Sequence, residues 1–488
     1  MSGKKYIAII LLLSCIAVAG STYAEVVLPK ILGNNMVLQR NKPVPVWGIA
    51  VADEAITVKF GNQTKKATAD ATGNWQIILD PMPASATPQV LEIKGTNTIK
   101  LENVLVGEVW LCSGQSNMSY EMRKNSKVRR PDTSTVNSPI DELDRAHNPQ
   151  IRIFLTTQKN LRKPDSTHAG WDIAEGTALR DFSAAGYFFA KNLNHDLKVP
   201  VGIICSAISG SRIEPWMPRE AFDEIPYFKD TNYKIDGDPG KLYVNMIAPV
   251  APYALRGFLW YQGESGSYLA ETISYTYKME ALIHWWRKLW NNKDLPFYYV
   301  QIAPFYYSRA KSSSNVPFTI YTEPELREAQ TMALKIPHTG MIVTTDLNDS
   351  LTNIHPAFKW VVGQRLELQA LANTYDKKVV FSGPMYDKMK IKGDKIILDF
   401  KYTGNGLVSH DGKPLSYFTI AGNDGKFVDA TAIIKGDKVE VSSPEVSSPV
   451  AVRFGWTEVA EPNFYNKDGL PAVPFRTDNP LKFTLTAN

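Results

Sequence analysis

Apolar strand-like runs alternate with helix-like segments through the middle of the chain, and that alternation constrains the fold more than any other feature. Val109, Trp110, Leu111 and Cys112 read as one buried strand. A helix over 182–197 leads to a strand at 199–207, and another strand follows at 257–261. A Trp-rich helix around 284–290 leads to a strand at 297–302, and a helix at 323–334 precedes a strand at 341–345. A last helix runs from Pro356 to about Thr374. Strands separated by helices on this spacing form a parallel sheet with right-handed crossovers and helices on both faces.

Open parallel sheets place their chemistry beyond the carboxyl ends of the strands. The first strand breaks off in Ser113-Gly114-Gln115-Ser116-Asn117-Met118, where Gly114 permits a tight turn and Ser116 sits at the hand-over. A lone serine there only caps the next helix. The G-x-S-x-G elbow is not met, because Met118 stands where its last Gly belongs. Three later strands, however, end in Ser209-Gly210-Ser211, in Gln262-Gly263-Glu264, and in Asp346 followed by Asn353-Ile354-His355-Pro356. Ester hydrolysis needs a nucleophile, a base and donors aimed at an oxyanion. Ser116 supplies the first and His355 the second; the backbone N–H groups of Ser116 and Gly210 and the side-chain amide of Gln262 supply the third. Pro356 at a first helical position puts His355 at a helix N-terminus, whose dipole disfavours imidazolium.

With 488 residues, 44% hydrophobic and 21% charged, the chain suits a globular protein of two or three domains. Lys4 and Lys5, an apolar stretch over 6–19, and small residues at Thr22 and Ala24 mark 1–24 as a secretory signal peptide. The protein is therefore expected to be exported, to the periplasm or outside the cell. The rival reading is a lipoprotein with lipid on Cys15, but Leu13 stands where a small residue is usual. The net charge is only +5, and less without Lys4 and Lys5, so no nucleic-acid partner is expected. No later stretch is long and apolar enough for a transmembrane segment. Cys112 and Cys205 read as buried free thiols without metal-ligand spacing, and neither a metal nor another cofactor is expected.

The flanks are β-rich. Over 25–104 the alternation of Ile56, Val58 and Phe60, and of Trp75, Ile77 and Leu79, indicates a β-sandwich domain. A polar region, 119–181, carries Arg123, Lys124, Lys127, Arg129 and Arg130 and reads as a solvated loop. Over 376–488 helical periodicity disappears; Lys392-Gly393-Asp394-Lys395 and Lys435-Gly436-Asp437-Lys438 read as hairpin turns in a C-terminal β-rich domain.

Gly114-Gln115-Ser116-Asn117-Met118, Trp260-Tyr261-Gln262-Gly263-Glu264-Ser265 and Asn353-Ile354-His355-Pro356 together resemble the sialate O-acetylesterase family of SGNH hydrolases. The resemblance extends to the tail, from Asn463-Phe464-Tyr465-Asn466 through Phe475-Arg476-Thr477-Asp478. It implies a three-layer α/β catalytic domain with a parallel sheet over 105–375. It also implies removal of O-acetyl groups from sialic acids or related glycans, with Ser116 as nucleophile, His355 as base, and Gly210 and Gln262 at the oxyanion. Thr352 stands where many SGNH enzymes have an Asp three residues before the His, and Gly266 where Asn is common.

The group that orients His355 is thus open between Glu264, Asp346 or Asp349, and a backbone carbonyl. Glu264 ranks first, since its strand also delivers Gln262 and related acetylesterases assign this role to the Glu of the motif. Arg212, two residues beyond Gly210, either binds the carboxylate of a sialic acid or pairs with Glu214. Two further readings stand beside this one. The first is an acetylesterase of xylan or another polysaccharide. The second is a non-catalytic glycan-binding protein using Trp216, Trp260 and Tyr261 as stacking surfaces.

Overall fold

The computed structural model describes residues 25–125, 141–159, 161–162, 165–231, 233–309 and 317–486. The stretch 1–24 read as a signal peptide, with Cys15, and Lys127, Arg129 and Arg130, lie outside these residues.

One long strand, Thr98–Gly114, organises the molecule. Its first part pairs antiparallel with Ser85–Lys94 and parallel with Val37–Gln39. Its second part, from Glu108 onward, lies between Val201–Ala207 and Gly257–Tyr261, parallel to both. The burial pattern changes with the surroundings: exposed and buried residues mix up to Asn103, and every residue from Val104 to Gly114 is buried. That is how a strand moves from a one-sided sheet into one covered on both faces. A division at 104/105 would cut through it.

The central sheet runs Thr339–Ile342, Phe297–Val300, Gly257–Tyr261, Thr98–Gly114, Val201–Ala207, Ile151–Leu155, Trp171–Ile173. The first six strands are parallel and the last is antiparallel. Alternate side chains go to opposite faces. Trp110, Cys112, Ile203 and Leu259 pack under the helices Ala184–Leu197 and Lys359–Asn373. Val109, Leu111, Ile204, Phe258 and Trp260 pack under Ile273–Leu289 and Thr322–Met332. Cys112 and Cys205 are register partners on adjacent strands, buried and unbonded.

Two expectations need correction. The region read as a polar loop contributes the strand Ile151–Leu155, paired with Val201–Ala207. Arg152 disguised it: the residue is 1% exposed, and its guanidinium donates to Pro149 O, to Asn35 and to Asn103 Oδ1. The last helix begins at Lys359 rather than Pro356, so His355 sits in the preceding loop and not at a helix N-terminus.

In the N-terminal region Val44–Ile49 pairs with Asn74–Leu79, while Ala55–Phe60 pairs with Gln63–Thr68 and Ser85–Lys94. Ile56, Val58, Phe60, Trp75, Ile77 and Leu79 are buried, as their alternation requires. Glu108, fully buried where this region meets the central sheet, accepts hydrogen bonds from Arg40, from Arg256 at 2.8 Å and from Gln39 at 3.0 Å. Burial pushes its carboxyl up, but Arg256, Arg40 and Gln39 outweigh that and hold it below the usual range.

The C-terminal region contains two four-stranded antiparallel sheets, and both expected hairpins close through Gly-Asp pairs, Lys392 against Lys395 and Lys435 against Lys438. The tail then returns to the helical layer. Arg476 pairs with Glu328 at 2.7 Å, Phe483 joins the central core, and Thr486 N–H donates to Glu280 at 2.6 Å. Among the described residues no helix is long and apolar enough to cross a membrane.

Candidate active site

Gly114, Ala207 and Tyr261 are level with one another at the carboxyl ends of the three central strands. The join is tight. Gly114 has φ +133°, and a Cβ there would lie 2.2 Å from Tyr261 O, so no other residue fits. Beyond it, Gln115 N–H donates to Tyr261 O at 3.0 Å and Ile208 N–H donates to Gly114 O at 3.1 Å. These bonds hold three loops side by side, and Ser116, Gly210, Arg212 and Glu264 all line one cavity of about 1080 Å³.

His355 lines the same cavity, although its loop follows the sheet's edge strand, two places from Thr98–Gly114's neighbour Gly257–Tyr261. Its backbone N–H donates to Asn353 Oδ1 at 3.0 Å, and Asn117 Nδ2 donates to Ile354 O at 3.0 Å, tying the His355 loop to the residue after Ser116. His355 is held below the usual imidazole range first by burial and then by the charges of Lys359 and Lys124. The lowering expected from a helix dipole thus has other sources. Gly210 has φ +74°, and no atom lies within 4 Å of the place a Cβ would take, so that side of the residue faces open space.

Gln262 is placed differently from the expectation. It is 1% exposed, lies behind the cavity wall, and donates through Nε2 to Gln115 Oε1 at 3.1 Å and to Ser211 O at 3.4 Å. Tyr275 OH donates to Gln262 Oε1 at 2.7 Å. Gln115 Oε1 also accepts the backbone N–H of Ser265 at 3.3 Å. Since a backbone N–H can only donate and a backbone carbonyl only accept, the orientation of both amides is fixed by the network. Gln115, not Gln262, is the amide on the cavity wall.

Among the carboxylates, Asp346 forms a two-pronged pair with Arg365 at 2.7 and 2.6 Å, and Asp349 accepts from Asn353 Nδ2 at 3.0 Å. Glu264 is 2% exposed; Oε1 accepts from Asn117 Nδ2, whereas Oε2 is buried without a hydrogen-bond partner among the described residues. Burial raises its carboxyl above the usual range, against the lowering effects of Asn117 and Lys359. The Arg212 guanidinium is held through Nε and Nη2, by Glu214 at 3.2 and 2.7 Å and by Asp236 at 2.6 Å. Glu214 is in turn bound by the buried Lys278 at 2.7 Å.

Residues 106–371 match the family described as carbohydrate esterase, sialic acid-specific acetylesterase. The chain belongs to that family. It is therefore an ester hydrolase of the carbohydrate esterase class. It is 28% identical over 496 residues to the sialate O-acetylesterase of Homo sapiens, covering 91% of each chain, and 27% identical over 522 residues to that of Mus musculus, covering 91% of this chain and 93% of that one. Among solved structures it resembles a carbohydrate acetylesterase from Xanthomonas citri, with 35% identity, a TM-score of 0.81, and coverage of 93% of this chain and 100% of that one.

Burial leaves the glycan-binding alternative without the stacking surfaces read for it. Trp216, Trp260 and Tyr261 are at most 1% exposed, and the two tryptophans meet edge to face in the core with centroids 6.2 Å apart. Thr352, at the position where SGNH relatives often carry Asp, hydrogen-bonds through Oγ1 to Ser350 Oγ at 2.8 Å.

Sequence reasoning gave no role to three residues at the site: Gln115, Asn117 and Lys359. Gln115 and Asn117 flank Ser116 in the very motif that located it. Lys359 carried a signal of its own, a lysine between Phe358 and Trp360 at a helix start, where the dipole disfavours a cation.

Proposed function

We propose that the protein is an exported carbohydrate esterase that removes O-acetyl groups from sugars through an acetyl-serine intermediate. The observation that carries this reading is the convergence of Ser116, Gly210, Glu264 and His355 on one cavity at level strand ends. Neutral His355 accepts the Ser116 hydroxyl proton as Oγ attacks the acetyl carbonyl carbon. The oxyanion is stabilised by the backbone N–H groups of Ser116 and Gly210, and by Nε2 of Gln115, whose Oε1 is already held by Gln262 and Ser265. The donor role read for Gln262 thus passes to its neighbour, and Gln262 sets that neighbour's orientation. Collapse of the tetrahedral species returns the proton from His355 to the sugar oxygen, and water then releases acetate by the same steps in reverse. Glu264 is the carboxylate assigned to orient the imidazole during the reaction: its Oε2 has no hydrogen-bond partner among the described residues and is free to accept one, whereas Asp346 and Asp349 are engaged elsewhere.

Between the two substrate classes, the geometry around Arg212 favours a neutral acetylated glycan over a sialic acid, because Glu214 and Asp236 already occupy the fork that would bind a sialate carboxylate. Acetate release from a panel of O-acetylated sialic acids, acetylated xylan and acetylated neutral oligosaccharides tests both statements. Turnover highest on a neutral acetylated sugar is the expected result. Release from none of the panel would contradict the proposed reaction, and release from sialates alone would contradict the preference. Export is checked by sequencing the mature N-terminus, expected to follow Ala24.

A further inference from the structure

Lys359 is fully buried, and it opens a helix. Both placements are unfavourable: desolvating an ammonium is costly, and the positive end of a helix dipole adds to the penalty. Residues that break local rules in this way are concentrated where function requires them. Its contacts show what it joins. Nζ donates to Asn117 Oδ1 at 2.7 Å and to the carbonyl of Pro356, the residue after His355. The other end of the Asn117 amide donates to Glu264 Oε1 and to Ile354 O. One ammonium and one amide therefore connect the segments bearing Ser116, Glu264 and His355, beneath the floor of the cavity.

We propose that Lys359 is a positioning residue for the ester hydrolysis, acting through Asn117 to hold the nucleophile and base loops in register and placing its ammonium beside the His355 loop. This rests on the proposed acetyl-serine reading. The charged and titratable groups facing it are Glu264 from the neighbouring strand end, Asp349 from the loop before His355, and the rings of Tyr120 and Tyr261, with centroids 4.9 and 5.2 Å from Nζ. Lys124 acts on His355 from the nucleophile side of the cavity. Burial pulls the Lys359 ammonium down to about 7, against the opposing effects of Glu264 and Asp349. It is therefore charged through the acidic range in which His355 takes up its proton.

The test is Lys359→Met, assayed with p-nitrophenyl acetate across pH. Loss of register should lower kcat by about 10- to 100-fold, the scale expected of a misplacement near 1 Å, with KM little changed. Loss of the positive charge should move the acidic limb of kcat/KM to higher pH. A folded variant with near-normal kcat, or one whose acidic limb stays in place, overturns the proposal. Asn117→Ala supplies a second arm that also serves if Lys359→Met does not fold. It cuts the link but leaves the charge, so kcat should fall by a similar factor while the limb stays where it was. Unchanged kcat there also overturns the proposal. Either failure would leave Ser116→Ala inactive, whereas an active Ser116→Ala would remove the underlying reading itself.

Discussion

Nε2 of Gln262 donates to Oε1 of Gln115 at 3.1 Å, so that of two glutamines near the proposed oxyanion one supports the other. Gln115→Ala should lower kcat by roughly 10²- to 10³-fold, the usual cost of one oxyanion donor, with a small effect on KM. Gln262→Ala removes a buried partner of both Gln115 and Tyr275 and should also cost stability, about 1–3 kcal/mol for the groups left unpaired. Parallel kcat, KM and Tm measurements separate them. A larger kcat loss at Gln262 with unchanged Tm would return the donor role to Gln262.

The pH profile offers an independent check. Burial, Lys359 and Lys124 all lower the affinity of His355 for a proton, below the ordinary value near 6.5. A base fails when protonated, so kcat/KM should fall as pH drops through the His355 value, and the midpoint of that acidic limb should lie below 6.5. A limb centred above 6.5 would mean that a different base, or a differently charged site, governs the reaction.

Three carboxylates compete to orient His355. Glu264→Gln should reduce kcat by a large factor, up to about 10⁴ by comparison with the best-studied triad, while the fold is retained. Asp346→Ala should lower Tm through the loss of the Arg365 pair but spare most of kcat. Asp349→Ala should do little. Small kcat effects at all three positions would leave a Ser-His dyad held by a backbone carbonyl.

Arg212→Ala leaves Glu214 buried but still paired with Lys278. The stability loss should therefore be smaller than the roughly 3–5 kcal/mol expected when a buried charge loses its partner outright. Activity on sialic acid esters and on neutral acetyl esters should fall by the same factor. A loss confined to sialic acids would show that Arg212 reads the substrate carboxylate.

These outcomes also mark what the amino-acid pattern could and could not convey. The strands ending at Gly114, Ala207 and Tyr261 were legible because parallel strands buried on both faces are written as unbroken apolar runs. The strand Ile151–Leu155 was hidden because Arg152, charged in the sequence, is satisfied internally by Asn35, Asn103 and Pro149. Pro356 signalled a helix start three residues early, since the chain turns through Ala357 and Phe358 before Lys359 begins the helix. That Ser116, Gly210, Glu264 and His355 meet at one cavity could be read from their places after strands. That Gln115 and not Gln262 lines the cavity could not, because it depends on which amide the Tyr275 hydroxyl and the Ser265 N–H hold from behind. Lys359 reaches Asn117 across 242 positions of sequence, a contact that no local pattern encodes.

The central claim is that Ser116 carries the acetyl group. Ser119, another hydroxyl on the cavity wall, is hydrogen-bonded to Ser209 at 3.1 Å and is not expected to substitute. The most direct measurement is acetate release by Ser116→Ala, with circular dichroism and Tm confirming the fold. A fall in kcat of at least about 10³-fold is expected, since only the donors and the binding surface would remain. Turnover within a few-fold of the unmodified enzyme would contradict the account.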